Sequence, residues 1–404
     1  MDPAPAGDGA AGRLSGMEPA ASAALEQLWH AIPEARIVGG AVRDRLARRP
    51  VADIDLASPL PPDTVAARLK AAGLRVIPTG LAHGTITALV GARHFEITTL
   101  RRDVETDGRH ATIAFIDDWQ QDAARRDFTI NAMSIDRAGT LHDYFNGAAD
   151  LAAGIVRFVG DPAVRITEDY LRILRFFRFF ARYARTEADP AALAAIGALH
   201  PGLARLSAER AWQEIKKILA APDPRHALHL MRETGVLATI LPEAGPLDGL
   251  DGMIAAAAPA DPLLRFAALA EADPALAARL KLSDAERTRL ALIQAAPLLA
   301  PDADDAALRR ALADWTPESL IDRTWLAGGV DHAALRARLG ETHRPVFPLK
   351  GRDVVAQGVA PGPAVGERLA VLRGWWREHG CTASRDELLR HLAMMMRNTD
   401  GDAS

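Results

Sequence analysis

The chain has 404 residues, 49% hydrophobic and 25% charged, with a formal net charge of −4. That is ordinary for soluble domains with real cores, two to four of them by length, and it excludes a molecule that binds polyanions over its whole surface, so any nucleic-acid surface is local. Cys381 is the only cysteine, which excludes an intramolecular disulfide and a cysteine-based zinc site and fits a reducing cytoplasm.

In chain order, residues 1–20 read as a disordered lead-in without the basic and apolar regions of a signal peptide. Residues 21–32 read as a short helix ending at Pro33, Ile37-Val38 as a strand, 41–47 as a helix and 53–57 as a strand. A helix over 62–72 carries Val65, Leu69 and Ala72 on one side. Val76-Ile77, 84–90 and 93–100 read as strands, with Gly91 as a hairpin turn. Residues 101–116, of mixed charge and containing Gly108, read as a mobile or simply exposed loop. Beyond 165 helical periods dominate, punctuated by Pro222, Pro224, Pro242, Gly245 and Pro246. No apolar run approaches the length of a membrane span.

Three stretches carry chemistry. In the first, Gly39-Gly40 opens the helix bearing Arg43, and Asp53 and Asp55 follow on a strand. Glycines let a backbone approach phosphates, and a helix N-terminus suits anions. Residues i and i+2 of a strand share a face, so Asp53 and Asp55 project together as candidate ligands for a pair of Mg²⁺ ions. The implied chemistry is nucleotidyl transfer. The second stretch is Arg125-Arg126-Asp127-Phe128-Thr129-Ile130-Asn131. Arg126 suits a phosphate, and Asp127 and Asn131 suit ribose hydroxyls; a helix start capped by Asp127 over a core of Phe128 and Ile130 explains the same residues.

The third is a helix running from Glu168 to Arg182. At about 100° per residue, Arg172, Arg175, Arg178 and Arg182 gather on one side, opposite Tyr170, Ile173, Phe177 and Phe180. Few acids lie nearby in sequence, so the stripe is not neutralised within its own helix. Asp169 and Arg172 are i,i+3 neighbours, an acceptor beside a forked donor that together fit the Watson–Crick edge of cytosine or adenine.

With these motifs, the chain resembles the class II tRNA nucleotidyltransferases, the superfamily of CCA-adding enzymes and bacterial poly(A) polymerases. The resemblance is dense over residues 36–185 and thin beyond. It implies an α+β protein. A polymerase-β-like catalytic head (21–150) would be followed by an all-α neck with the base template (151–220), a body (221–330) and an RNA-binding tail (331–404). It implies Mg²⁺ at Asp53 and Asp55, and triphosphate contacts from the backbone at Gly40 and from Arg43. Arg126 would serve the bound nucleotide. Asp169 and Arg172 would be the base template braced by Glu168, with Arg175 and Arg178 beside the phosphates or positioning the template. Glu96 would join the metals or brace the next loop, and 101–116 would be the loop that helps switch nucleotide.

The implied reaction adds CCA to tRNA 3′ ends from CTP and ATP. Gly80-Leu-Ala-His-Gly-Thr and the loop at 101–116 favour this over A-only addition, CC-only addition or poly(A) synthesis, and an inactive RNA-binding module is the reading from another class. The expected partner is tRNA, at its acceptor end and elbow, with no membrane or protein partner. Lys216, Lys217, Arg344, Lys350 and Arg352 are candidate phosphate contacts, and Gly358–Gly366 is either a backbone contact to tRNA or a turn. No His-Asp metal pattern appears in the helical half, so no second phosphatase activity is expected.

Overall fold

The computed structural model describes residues 18–51, 53–80, 84–106, 111–271, 273–328 and 330–401. The chain divides into two compact units, Met1–Pro242 and Glu243–Ser404. Among the described residues no helix is long and apolar enough to cross a membrane.

The first unit begins with α1 (Pro19–Ala31), β1 (Arg36–Val38), α2 (Gly40–Leu46), β2 (Asp55–Ser58) and α3 (Pro62–Ala71). Then come β3 (Arg75–Gly80), β4 (Thr85–Val90), β5 (Arg93–Thr99), β6 (Arg101–Thr106) and β7 (Ala111–Phe115), followed by α4 (Trp119–Ala124), β8 (Ser134–Ile135), β9 (Leu141–His142) and α5 (Gly147–Ala153). The main sheet has the order β3-β4-β5-β2-β1-β8-β9, with β2 and β5 parallel and its other pairs antiparallel. Gly91, at φ +61°, makes the expected turn between β4 and β5.

Two expectations for this region change. The strand expected from residue 53 starts at Asp55, opposite Val38. At Gly39 (φ +67°) the chain leaves the sheet for α2, so β1 offers no residue opposite Asp53. Asp53 and Asp55 still flank a buried Ile54 and are both exposed, so the i,i+2 alternation survives without the ladder. The expected loop at 101–116 instead pairs β6 with β7 as an antiparallel ribbon, Arg101 opposite Phe115 and Thr106 opposite Ala111. Thr, Val and Ile favour such pleated pairing. The lead-in expected over 1–20 gives way to α1 at Pro19, and residues 1–17, Leu81-Ala82-His83 and the tip at 107–110, with Gly108, lie outside the described residues.

The helices that follow are α6 (Pro162–Glu168), α7 (Leu171–Tyr183), α8 (Pro190–Leu199), α9 (Ala208–Leu219), α10 (Arg225–Glu233) and α11 (Val236–Ile240). The single helix expected over 168–182 is broken at Asp169, whose backbone is extended (φ −156°, ψ 108°). Asp169 Oδ1 accepts the Leu171 N–H at 3.1 Å and its carbonyl accepts Arg172 N–H at 3.0 Å, so the residue restarts the helix as a capping group would. Tyr170, beside the break, rests on Gly202. A Cβ there would lie 1.8 Å from the Tyr170 ring, so only glycine fits under it.

Behind α7 lies an aromatic core. Phe176, Phe177, Phe179 and Phe180 are all buried. The Phe128 ring packs 4.8 Å from Phe158 and edge-on to Phe179 at 5.2 Å, and Phe158 stacks on Phe176 at 5.7 Å. Such pairs add to the burial of large rings. Helix α7 therefore buries every side except its arginine stripe, which fixes where that stripe faces.

The second unit is helical: α12 (Asp248–Ala255), α13 (Pro262–Leu269), α14 (Pro274–Arg279), α15 (Asp284–Ala295), α16 (Asp305–Asp314), α17 (Pro317–Leu326), α18 (Ala333–Glu341), α19 (Gly351–Val355), α20 (Pro363–Glu378) and α21 (Arg385–Gly401). Leu308, Leu312, Leu320, Leu335 and Leu339 anchor one core, and Leu349, Val354, Leu372, Trp376 and Leu388 another.

Candidate active site

A cavity of about 490 Å³ in the first unit gathers residues from three distant stretches. Gly39, Gly40 and Arg43 come from the first motif, Arg126, Asp127 and Asn131 from the second, and Asp169, Arg172, Arg175 and Arg178 from the third. Every residue expected to bind nucleotide is therefore on one wall or another. Leu171, Phe179 and Arg210, which the sequence did not single out, complete the lining.

The arginines are not loose. Arg43 donates to Asn131 Oδ1 at 2.6 Å and to Asp44 at 3.0 Å, and its guanidinium lies 5.0 Å over Phe179 and 4.7 Å over Tyr183. Arg126 pairs with Asp122 at 3.0 Å. Arg172 is held by Glu168 and by the carbonyls of Arg165 (2.9 Å) and Arg125 (3.2 Å). Arg175 Nε donates to Asp127 at 2.6 Å, Arg178 meets Glu214 at 2.9 Å, and Arg210 meets Asp169 at 2.7 Å. Arg172 takes its acid from Glu168, one turn earlier, against the expectation of a stripe not neutralised locally, whereas Arg175 and Arg178 draw theirs from distant elements, which the local sequence could not reveal. Of these acids only Asp127 and Asp169 line the cavity. The others stand behind their arginines, so the cavity wall is cationic and oriented in advance.

Asp127 is the hinge of this network. It is buried and accepts from Phe128 N–H, Asn131 Nδ2 (both 2.9 Å) and Arg175. Burial pushes its carboxyl up, but Arg175 and these hydrogen bonds outweigh it and hold it below the usual carboxylate range. The helix expected to start here is one 3₁₀ turn, Thr129–Asn131, because Asp127 turns inward to Arg175. Asp122 behaves alike: burial opposes ionisation, and Arg126 and Arg125 overcome it. The Arg178 guanidinium is pulled down by burial and by Arg175.

Asp169 and Arg172 both face the cavity but do not pair with each other; Arg210 engages one and Glu168 the other. Glu168 thus occupies the bracing position expected of it. Ser207 begins α9 by accepting Arg210 N–H, and Arg210 and Glu214, one turn apart, both reach residues of the cavity wall. Only this long-range pairing identifies them.

Asp53 and Asp55 are not in the lining of this cavity. Arg126 links the two places: a Cβ on Gly39 would sit 3.2 Å from its Nη1, and its charge acts on Asp55. The Asp55 carboxyl is pushed above the usual range by desolvation, then by Glu96 and Asp53, against the pull of Arg126. Glu96 lies opposite Asp55 in the β2–β5 ladder. Carboxylates crowded this way call for a cation, and Asp53 and Asp55, on either side of buried Ile54, fit a divalent metal that takes its remaining oxygens from phosphate and water. Among the described residues no group of three His, Cys, Asp or Glu side chains forms a fuller ligand set.

The suggested RNA contacts are placed less tellingly. Lys216 lies over Trp212, Lys217 reaches Glu214 at 3.3 Å, and Arg344 donates to the Leu312 carbonyl at 3.0 Å. Lys350 N–H donates to Asp353, Arg352 is exposed, and Gly358 and Gly362 have positive φ.

Residues 35–157 match the family described as the Poly A polymerase head domain, and residues 187–246 match the probable RNA and SrmB-binding site of polymerase A. The mitochondrial CCA tRNA nucleotidyltransferase 1 of Mus musculus is 38% identical over 375 residues, covering 89% of this chain and 86% of that protein. The Homo sapiens protein of the same name is also 38% identical over 375 residues, with the same coverages. Among solved structures, the Bacillus stearothermophilus CCA-adding enzyme in complex with CTP superposes with a TM-score of 0.75 at 27% identity, over 96% of this chain and all of that one.

Proposed function

The chain belongs to the CCA tRNA nucleotidyltransferase family, and from that premise we propose that it extends tRNA 3′ ends by C, C and A from CTP and ATP, releasing pyrophosphate. The observation that carries the reading is the cavity itself: a wall of oriented arginines ending at an Asp169/Arg172 pair, with Asp53 and Asp55 beyond Arg126.

The chain's own residues divide the work. Gly39 and Gly40 bring backbone close to the triphosphate, and Arg43, Arg126, Arg175 and Arg178 neutralise it from positions fixed by acids behind them. Asp169 accepts the exocyclic amine shared by cytosine and adenine, while Arg172 donates to ring acceptors. Uracil and guanine present a carbonyl where Asp169 needs a donor. Asp53 and Asp55 would hold the divalent cation that this family generally uses, Mg²⁺ on this reading. When bound, it lowers the pKa of the attacking 3′-hydroxyl and steadies the leaving pyrophosphate. Glu96, opposite Asp55 on the next strand, would add a third carboxylate to the cation or brace the loop that follows.

On this reading residues 21–150 form the head, 151–220 the neck, 221–330 the body and 331–404 the tail, and tRNA lies against the helical domains. A reducing cytoplasm belongs to the same reading, supported by the lone Cys381. The test is incubation with tRNA lacking its CCA end, Mg²⁺, CTP and ATP. Growth by C, C and A, stopping there, is the expected result. Long A tails on unrelated RNA would reassign the chain to poly(A) synthesis, and no extension under confirmed RNA binding would leave a binding module.

A further inference from the structure

Arg182 belongs to the arginine stripe of α7 but not to the reaction cavity. It lines a second depression of about 430 Å³ with Arg48, Arg49, Tyr183 and Arg185. Leu46, Arg48 and Arg49 also line an adjoining depression of about 810 Å³, so the two form one trough. It sits at the C-terminal ends of α2 and α7, whose preceding turns line the reaction cavity. On each helix the nearest lining residues of the two places, Arg43 and Leu46 on α2 and Phe179 and Arg182 on α7, are three positions apart, about 5 Å of helical rise.

The trough inverts the logic of the cavity. There every lining arginine is paired with a carboxylate. Here Arg49 donates to the Arg182 carbonyl at 2.7 Å and stacks 4.5 Å over Tyr183, and Arg185 donates to the carbonyls of Leu151 and Ala152. Those contacts orient the guanidinium planes without neutralising them. Arg48 and Arg182 are exposed and make no side-chain hydrogen bond or ion pair among the described residues. No carboxylate lines either depression. Arg185 also borders a depression that holds Glu187 and Asp223, so the uncompensated charge rests on Arg48, Arg49 and Arg182, a local feature of a chain whose net charge is −4.

We propose that this trough binds the phosphodiester backbone of RNA outside the reaction cavity, several phosphates in series along Arg48, Arg49, Arg182 and Arg185. The arginines spread over two joined depressions instead of converging on one point, which suits successive phosphates better than one small anion. Arginine forks match phosphate oxygens, and Tyr183 backs them with an aromatic face. The proposal rests on the RNA-extending function above only in naming tRNA as the RNA.

The test is binding of tRNA lacking its CCA end to the full chain across a salt series, for wild type and for Arg48→Gln/Arg182→Gln. Neither side chain makes a polar side-chain contact among the described residues, and Arg287→Gln, at an exposed position paired with Asp284, controls for a general charge effect. Loss of two phosphate contacts should weaken binding on the order of tenfold or more near 0.1 M salt and flatten the slope of log K against log salt by roughly 1.4–1.8. The kcat and the KM for CTP and ATP should stay at wild-type values. Unchanged affinity and slope would overturn the proposal. So would a variant altered only in its inhibition by free pyrophosphate, which would make the trough a small-anion site. Because binding is read without turnover, failure here is separate from failure of wild type to extend tRNA.

Discussion

Asparagine at position 127 tests whether the cavity's arginines are held in advance. Asp127 accepts Arg175, Asn131 Nδ2 and Phe128 N–H, and Asn131 in turn accepts Arg43. Asp127→Asn keeps the shape and one acceptor but removes the charge. The carboxylate is buried, whereas the Arg175 side chain is 32% exposed, so solvent discounts the pair. With the weakened hydrogen bond to Asn131, the loss should be about 2–3 kcal/mol, read as a lower urea midpoint at unchanged m-value.

The pH dependence identifies the source. The folded carboxyl lies below its unfolded value, near 3.9. Its contribution is therefore complete above about pH 5 and is lost as the pH falls through the folded value. The gap between wild type and variant should shrink in that acid window, and the KM for CTP and ATP should rise at neutral pH. A gap as wide at pH 3 as at pH 7 would refute the electrostatic argument, because the charge would then contribute nothing to it.

Asp53→Ala should nearly abolish turnover while the thermal midpoint stays within a degree or two, since the residue is exposed and outside the strand ladder; near-normal turnover with wild-type metal dependence would remove it from the metal site. Gly202→Ala should displace Tyr170 and with it Asp169, costing about 1–3 kcal/mol of stability and raising KM more than it lowers kcat; a silent substitution would show that Tyr170 does not position the break. Arg210→Ala frees Asp169 of its charge partner. If Arg210 holds Asp169 in place, nucleotide preference should blur while the pyrophosphate contacts are spared, as steady-state kinetics with CTP and UTP would reveal.

Much of the site was legible because its parts are local patterns. Gly39-Gly40 before a helix, alternation around Ile54 and the arginine period of α7 each need only a few neighbouring residues. Partners distant in sequence were not legible. Asp127 turns to Arg175, Glu214 to Arg178 and Arg210 to Asp169 across 36 to 48 positions, and nothing in the local pattern marks Arg210 or Glu214. The break at Asp169 was missed for a related reason. Helical periodicity runs through it, and only the side chain's bond to Leu171 N–H and the ring of Tyr170 on Gly202 show that the helix restarts. The ribbon at 101–115 was missed because its charged residues read as a loop, although backbone pairing does not depend on them.

The claim most worth testing is that protein side chains choose the base. The measurement is kcat/KM for CTP, ATP, UTP and GTP on tRNA ending at each successive position of the CCA end, for wild type and Asp169→Ala. The account predicts strong wild-type preference for C, C and then A. It predicts that the variant loses roughly ten- to hundredfold of the discrimination against UTP and GTP, the worth of one bidentate contact. Wild-type preference retained in the variant would contradict it.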